Sequence, residues 1–177
     1  MKLLISGKSA RNYSYNPFTI YDEKRKIKYY LKRTGPSWSG FFVYDQDDAL
    51  IGSVRKNKFP LGLNLLGGNG SIKQKTEIFL GNQSMGSIIY ELGGRGFLRP
   101  DIKVDYMGWS VMGNTNAWKY YIIGGKGEGT IARVFQEDNY FLGQKSVVIE
   151  FDNSGNEEMI VLLVVALYLM WSTYSAN

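Results

Sequence analysis

The chain has 177 residues and a mass of 20.1 kDa, the usual size of one domain. Cysteine and histidine are both absent, which excludes disulfides, zinc fingers, iron–sulfur clusters, histidine-ligated haem and catalytic triads built on either residue. The net charge of +5 is uneven, because residues 1–58 carry 12 Lys and Arg against 5 Asp and Glu, whereas residues 59–177 carry 9 against 11. This asymmetry favours a local anion-facing surface, with a merely solvated basic face as the alternative.

The N-terminus provides no export signal. Residues 1–7 contain an apolar core of only three residues, whereas a secretory signal needs about 7–15. We therefore expect a cytoplasmic protein.

Residues 24–33 form the most basic segment and are predicted to be a strand. Alternation along a strand places Ile27, Tyr29 and Leu31 on the face that suits the core. The opposite face then carries a row of cations and one phenol, and a neighbouring hairpin could extend it. The predicted anion- or lipid-binding residues are Lys24, Lys26, Lys28, Tyr30, Lys32, Arg55, Lys56 and Lys58. Such a row favours weak, salt-sensitive binding to anionic lipid, although lysines also serve to protect exposed strand edges.

Three segments of the chain have the pattern of a β-hairpin, with two apolar and aromatic runs joined by a short polar or glycine-rich turn. They cover residues 41–54, 78–90 and 118–134, and each second strand carries Gly-Ser/Thr-Val/Ile. Because no crossover helices separate them, the pattern predicts an antiparallel meander. Closing the meander into a barrel would remove its edge strands.

Several short motifs are better explained as turns than as ligand sites. The Gly-Gly-x-Gly stretches at 67–70, 93–96 and 124–127 lack dinucleotide-binding spacing and are predicted to be turns that use positive φ. The acidic run at 45–48 does not fit a calcium loop.

Paired carboxylates on barrel-end loops leave a carboxylate-dependent hydrolase open as an alternative function.

The C-terminal part of the chain differs from everything before it. A strand at 147–151 and a turn at 152–155 precede a possible capping box formed by Ser154 and Glu157. Residues 159–171, MIVLLVVALYLMW, are apolar without interruption and predict a helix that is surrounded by apolar groups. A membrane-spanning helix needs about 18 or more such residues. Burial inside the protein is therefore favoured over a C-terminal membrane anchor.

The arrangement resembles the tubby-like superfamily, which includes phospholipid scramblases, and it is most similar to LURP-one-related proteins. The likeness rests on Phe-Val-Tyr-Asp at 42–45, Leu-Ile-Gly-Ser-Val-Arg-Lys at 50–56, and Asn-Glu-Glu at 156–158 before the apolar run. The resemblance implies a mainly β fold, with a closed antiparallel barrel of about 12 strands around a hydrophobic C-terminal helix. In this chain, residues 1–177 would form one domain, with strands over about 13–156 and the helix over 157–173.

The resemblance also implies a non-enzymatic binding or scaffold domain. Tubby domains suggest phosphoinositide or another polyanion as the ligand class, but no phosphoinositide-binding residues match position by position. We expect a monomer without a cofactor, a metal or a specific nucleic acid, located in the cytoplasm and peripherally at membranes. Scramblase activity does not carry over, because residues 152–156 fit a turn and a helix cap better than a calcium site.

Overall fold

The computed structural model describes residues 1–5, 18–34, 39–57, 72–92, 101–115, 117–125, 129–139, 144–152 and 154–172. These residues form twelve β-strands and, after a 3₁₀ turn at Ser154–Asn156, one α-helix. The strands are β1 (Lys2–Ile5), β2 (Phe18–Tyr21), β3 (Ile27–Arg33), β4 (Gly40–Asp45), β5 (Leu50–Lys56), β6 (Ile72–Leu80), β7 (Gln83–Leu92), β8 (Asp101–Tyr106), β9 (Ser110–Asn114), β10 (Lys119–Ile123), β11 (Thr130–Asn139) and β12 (Gln144–Phe151). The helix, α1, covers Glu157–Ser172.

The strands form one antiparallel sheet in the order β8-β7-β6-β5-β4-β3-β2-β1-β12-β11-β10-β9. Apart from β8 and β9, described strands that follow one another in the chain therefore pair, as in a meander. Between β8 and β9, which end this order, no ladder is formed by the described residues. The barrel is thus nearly closed, and the predicted fold class is confirmed.

Strand β1 joins the two ends of the meander and lies ahead of the range in which the sequence predicted strands. Its residues pair with β12 on one side, as in Leu3 with Ile149, and with β2 on the other, as in Ile5 with Ile20. Leu3 and Ile5 are buried. Without β1 the sheet would stop at β2 and β12.

Helix α1 occupies the interior of the barrel, as predicted. Every side chain from residue 160 to 167 is 0% exposed, because apolar residues of the strands surround the whole circumference of the helix. Near the end of α1 the ring of Tyr168 contacts Phe41 and Trp118, with centroids 6.4 Å and 5.9 Å away. Within the described ranges, no helix is long and apolar enough to cross a membrane.

Among the described strands, four hairpins contain a register shift of one residue, which is a β-bulge. The extra residues are Lys28 in β3, Ile51 in β5, Met85 in β7 and Ile131 in β11. The extra residue directly precedes the repeated Gly-Ser/Thr-Val/Ile motif in β5 and β7 and is its last residue in β11. A bulge bends its strand and increases the local twist, which helps a sheet curve around a helix. The motif therefore marks the curvature of the barrel.

The glycine-rich connection between β10 and β11 corrects one prediction. Gly124 donates its amide to the carbonyl of Gly129 over 2.8 Å and so closes the hairpin. The positive φ, +68°, occurs at Gly129, whereas neither Gly124 nor Gly125 has a positive φ. The expectation of positive φ in the 124–127 stretch is thus wrong for these two residues, and the stretches at 67–70 and 93–96 lie outside the described residues.

Candidate anion-binding surface

Lys24 and Lys26 lie in the β2–β3 turn rather than in a strand. The turn is closed by the Asp22 amide, which donates to the Lys26 carbonyl over 2.9 Å, and by the Lys26 amide, which donates to Asp22 Oδ1 over 2.8 Å. Arg25 takes a positive φ of 63° at its tip. Both lysines are exposed. Their ammonium groups form no ion pair among the described residues and are available to an external anion.

The bulge at Lys28 changes which side chains of β3 point toward the core. Ile27 was expected to point toward the core, but it is 49% exposed. Tyr29 and Leu31 do point inward and are buried. The extra residue shifts the strand by one position, so the alternation predicted for 24–33 holds only beyond the bulge.

Lys28 is part of an internal ion pair at the start of the helix. Its Nζ donates to Glu157 Oε2 over 2.7 Å, while the Tyr29 hydroxyl donates to Glu157 Oε1 over 2.7 Å. Burial and, after it, the hydrogen bond to Glu157 raise the pKa of Tyr29 well above its usual value. Both oxygens of the buried Glu157 are engaged with β3, so this carboxylate serves the barrel rather than the predicted capping box. Lys28 is consequently not free to hold an external anion.

Tyr30 and Lys32 lie on the outer face beyond the bulge and contact the β4–β5 hairpin. The Tyr30 hydroxyl donates to Asp48, and the Tyr30 and Tyr44 rings stack with centroids 5.4 Å apart. Lys32 Nζ lies 4.7 Å from the Tyr44 centroid, 5.3 Å from that of Tyr30 and 3.8 Å from Asp48 Oδ1. The ammonium remains half exposed, since 55% of the Lys32 side chain is accessible. The two rings hold it at the surface through cation–π contacts.

Arg55 continues the same surface on β5. Its guanidinium carbon lies 5.2 Å from the Phe79 ring centroid and 5.7 Å from that of Phe42. Phe42 also contacts Tyr44 edge to face at 6.4 Å. The outer face therefore carries an aromatic strip, defined as Tyr30, Tyr44, Phe42 and Phe79. Lys32 and Arg55 lie over this strip.

Sequence reasoning placed Tyr30 in the predicted row but missed the other three rings of the aromatic strip and the two acidic partners, Asp48 and Glu157. Phe42 and Tyr44 are two residues apart, so alternation already placed them on one face. No sequence signal linked that face to Asp48 or placed Glu157 beside Lys28.

Lys56 does not extend the predicted basic row, because it points into the barrel. Its Cα partner on β6 is Thr76, which is 1% exposed. Neither Lys56 Nζ nor Thr76 Oγ1 has a hydrogen-bond partner in the described part of the chain. Burial lowers the pKa of Lys56 to about 8. Lys58 lies outside the described residues.

This buried ammonium predicts an alkaline rise in stability. The unfolded chain keeps an ordinary lysine pKa of about 10.4, so between that value and about 8 the unfolded state binds more protons. We expect the free energy of unfolding to be larger by about 1 kcal/mol at about pH 9.5 than at about pH 7.5, allowing for solvent screening. Denaturant titrations of wild type and Lys56→Met would measure it. A rise of equal size in Lys56→Met would contradict the assignment.

Comparison with known proteins is consistent with the fold and extends over nearly the whole chain. The model of the LURP-one-related family matches residues 1–168. An X-ray structure of a protein from Arabidopsis thaliana is similar with a TM-score of 0.54 and 11% sequence identity, over 93% of this chain and 88% of that one. At that identity the likeness concerns the fold alone. A search of curated proteins finds no match.

Proposed function

Because the chain belongs to the LURP-one-related family, we propose that it is a non-enzymatic binding domain that docks on anionic membrane lipid through the outer face of β3–β5. The observation that carries the proposal is the set of accessible cations around the aromatic strip. Lys24 and Lys26 are exposed in the β2–β3 turn, and Lys32 and Arg55 are held over the aromatic rings. Several accessible cations on one face attract the phosphates of an anionic membrane, and the rings provide apolar contact at the headgroup level.

A surface mode of binding also follows from the filled interior. The helix occupies the space in which a barrel would otherwise enclose a ligand. A partner therefore meets the outer face.

The hydrolase alternative needs two carboxylates that face a substrate in one cleft. Two of the acids around the candidate surface instead have partners on β3, since Glu157 pairs with Lys28 and Asp48 accepts a hydrogen bond from the Tyr30 hydroxyl. This pairing favours a binding role over general acid–base chemistry.

Vesicle co-sedimentation tests the proposal. The variant changes Lys24, Lys26 and Lys32 to Gln and keeps Lys28, because that residue pairs with Glu157. Each lysine near an anionic surface contributes about 1 kcal/mol, so we expect the variant to bind phosphatidylserine vesicles at least about tenfold more weakly at low salt. The same measurement with phosphoinositide added to the vesicles compares the two headgroups.

The matched control changes the same three lysines to Arg, which keeps the charge, and it should bind as wild type does. Phosphatidylcholine vesicles should bind none of the three proteins. Equal sedimentation of wild type and the Gln variant, or none by wild type, would contradict the proposal and leave these lysines as a solvated basic face.

A further inference from the structure

A cavity of about 270 Å³ lies where β10 and β11 pair. Its charged and ring-bearing lining residues are Trp118, Lys119, Tyr120, Tyr121, Arg133 and Phe135. Lys119, Tyr121 and Arg133 are exposed, whereas Tyr120 and Val134, which alternate with them, are buried. The cavity therefore opens on the outer face of the sheet.

This position separates the cavity from the candidate anion-binding surface. In the order of the sheet, strands β2, β1 and β12 lie between β3 and β11, and strands β6, β7, β8 and β9 lie between β5 and β10. In a barrel of twelve strands the cavity and the candidate surface are therefore on roughly opposite sides. A ligand in the cavity and a membrane on β3–β5 can thus be bound at the same time.

The cavity has an uncompensated positive charge. Neither Lys119 nor Arg133 forms an ion pair with a described residue, and the lining contains no Asp or Glu. Glu150 is the Cα partner of Arg133 on β12, but its Oε1 lies 4.0 Å from Lys2 Nζ. Two cations that form no ion pair with a described residue, in a lining that contains no acid, are electrostatically suited to an anion with more than one charge.

The geometry of Arg133 makes it a directional donor. Its guanidinium carbon lies 4.6 Å from the Phe135 ring centroid, so the ring supports the guanidinium and restricts its orientation. A guanidinium binds two oxygens of a phosphate with two parallel N–H···O hydrogen bonds, whereas the Lys119 ammonium adds a point charge. These two groups together fit a dianionic phosphate better than a single carboxylate.

The rings of the lining supply the other half of the recognition. Tyr121 is 44% exposed beside the cavity, and Trp118 is held by stacking on Tyr168 at the end of the helix. Aromatic faces next to a few polar groups are typical of sites for small organic ligands, and the volume lies just below the usual range for drug-sized molecules. The organic part of the ligand is therefore small and at least partly apolar.

From these features we infer that the β10–β11 cavity binds a small phosphate monoester that carries an aromatic or apolar group. Arg133 holds the phosphate oxygens, Lys119 balances the second charge, and Tyr121 with Phe135 contacts the organic group. This inference is independent of lipid docking at β3–β5. The same chemistry occurs in soluble phosphate esters and in lysophosphatidic acid, so the test includes one of each.

Calorimetric titration with phenyl phosphate, followed by NMR of the Tyr121 and Phe135 amides, tests the assignment. We expect saturable binding to wild type and an affinity at least about tenfold lower in Arg133→Gln. The loss of affinity should be smaller in Arg133→Lys, which keeps the charge but lacks the paired N–H donors of a guanidinium. Inorganic phosphate should bind more weakly than phenyl phosphate, because it has no group to contact the rings. Lys103→Gln removes an exposed lysine on β8 and is the matched control, expected to bind as wild type does.

Competition identifies the source of the ligand. If lysophosphatidic acid binds more tightly than phenyl phosphate and the two compete, the assignment holds and the ligand is a lipid. If phenyl phosphate binds more tightly, the assignment holds and the ligand is a soluble phosphate ester. Equal binding by wild type and an Arg133→Gln variant of unchanged melting temperature would overturn the assignment. Absence of saturable phenyl phosphate binding to wild type would overturn it too.

Discussion

Replacing Leu163 with Asp is expected to leave no folded protein at room temperature. Leu163 is 0% exposed at the middle of α1, and its neighbours in the barrel are apolar. An unpaired carboxylate at such a place costs several kcal/mol even after the surroundings relax, and the lost leucine adds about 2 kcal/mol. A single domain has only about 5–15 kcal/mol of stability in total. Circular dichroism and thermal melting of the purified variant would show the loss.

Met112→Asp is the matched control for this substitution. The side chain of Met112 is 61% exposed on β9, so the same new carboxylate stays in water and the melting temperature should change little. Val164→Asp, at a neighbouring buried position, should repeat the loss seen with Leu163→Asp. A cooperatively melting Leu163→Asp protein, or a normally melting chain truncated after Gly155, would contradict the role given to the helix.

Glu157→Ala should cause the second largest loss, about 3–5 kcal/mol of the free energy of unfolding. The substitution leaves the Lys28 ammonium and the buried Tyr29 hydroxyl without their shared acceptor. It also removes an acidic group from the positive end of the helix. Glu157→Gln keeps an acceptor for Tyr29 but loses the charge, so its loss should be smaller. Urea titrations of the variants would give these differences.

A double-mutant cycle separates the ion pair from the packing around it. If Lys28 and Glu157 act together, Lys28→Met combined with Glu157→Gln should cost less than the sum of the two single changes, by about 1–3 kcal/mol. Glu158→Ala is the control, because the neighbouring Glu158 is exposed. Additive losses in the cycle, or a Glu157→Ala protein as stable as wild type, would show that the contact does not stabilise the barrel.

The fold could be predicted because its strongest signals are local. Residues 159–171 have no polar face, so only an enclosed helix suited them. The described helix begins at Glu157, the start that the sequence predicted. Alternation and short turns likewise indicated the hairpins of the meander. Strand β1 was not predicted, because Lys2–Ile5 carries only three apolar residues and its pairing with β12 joins positions that are far apart in the chain.

The site was less predictable because it depends on where strands deviate from regular alternation. The bulge at Lys28 exposes Ile27 and allows Lys28 and Tyr29 to reach the same carboxylate, which no count of alternate positions reveals. Lys56 is a different case. It lies two residues after the buried Val54, so alternation alone placed it inside, and grouping it with Arg55 by charge was wrong.

Native-state hydrogen exchange of the helix amides tests the enclosure of the helix most directly. If α1 lies inside the barrel, the amides of residues 161–169 exchange only through global unfolding, with the highest protection in the chain. Adding anionic vesicles should leave the exchange of the helix amides unchanged, while the amides around Lys24 and Lys26 should exchange more slowly. Exchange of the helix amides within seconds in the folded protein, or protection that arises only when vesicles are present, would contradict the account.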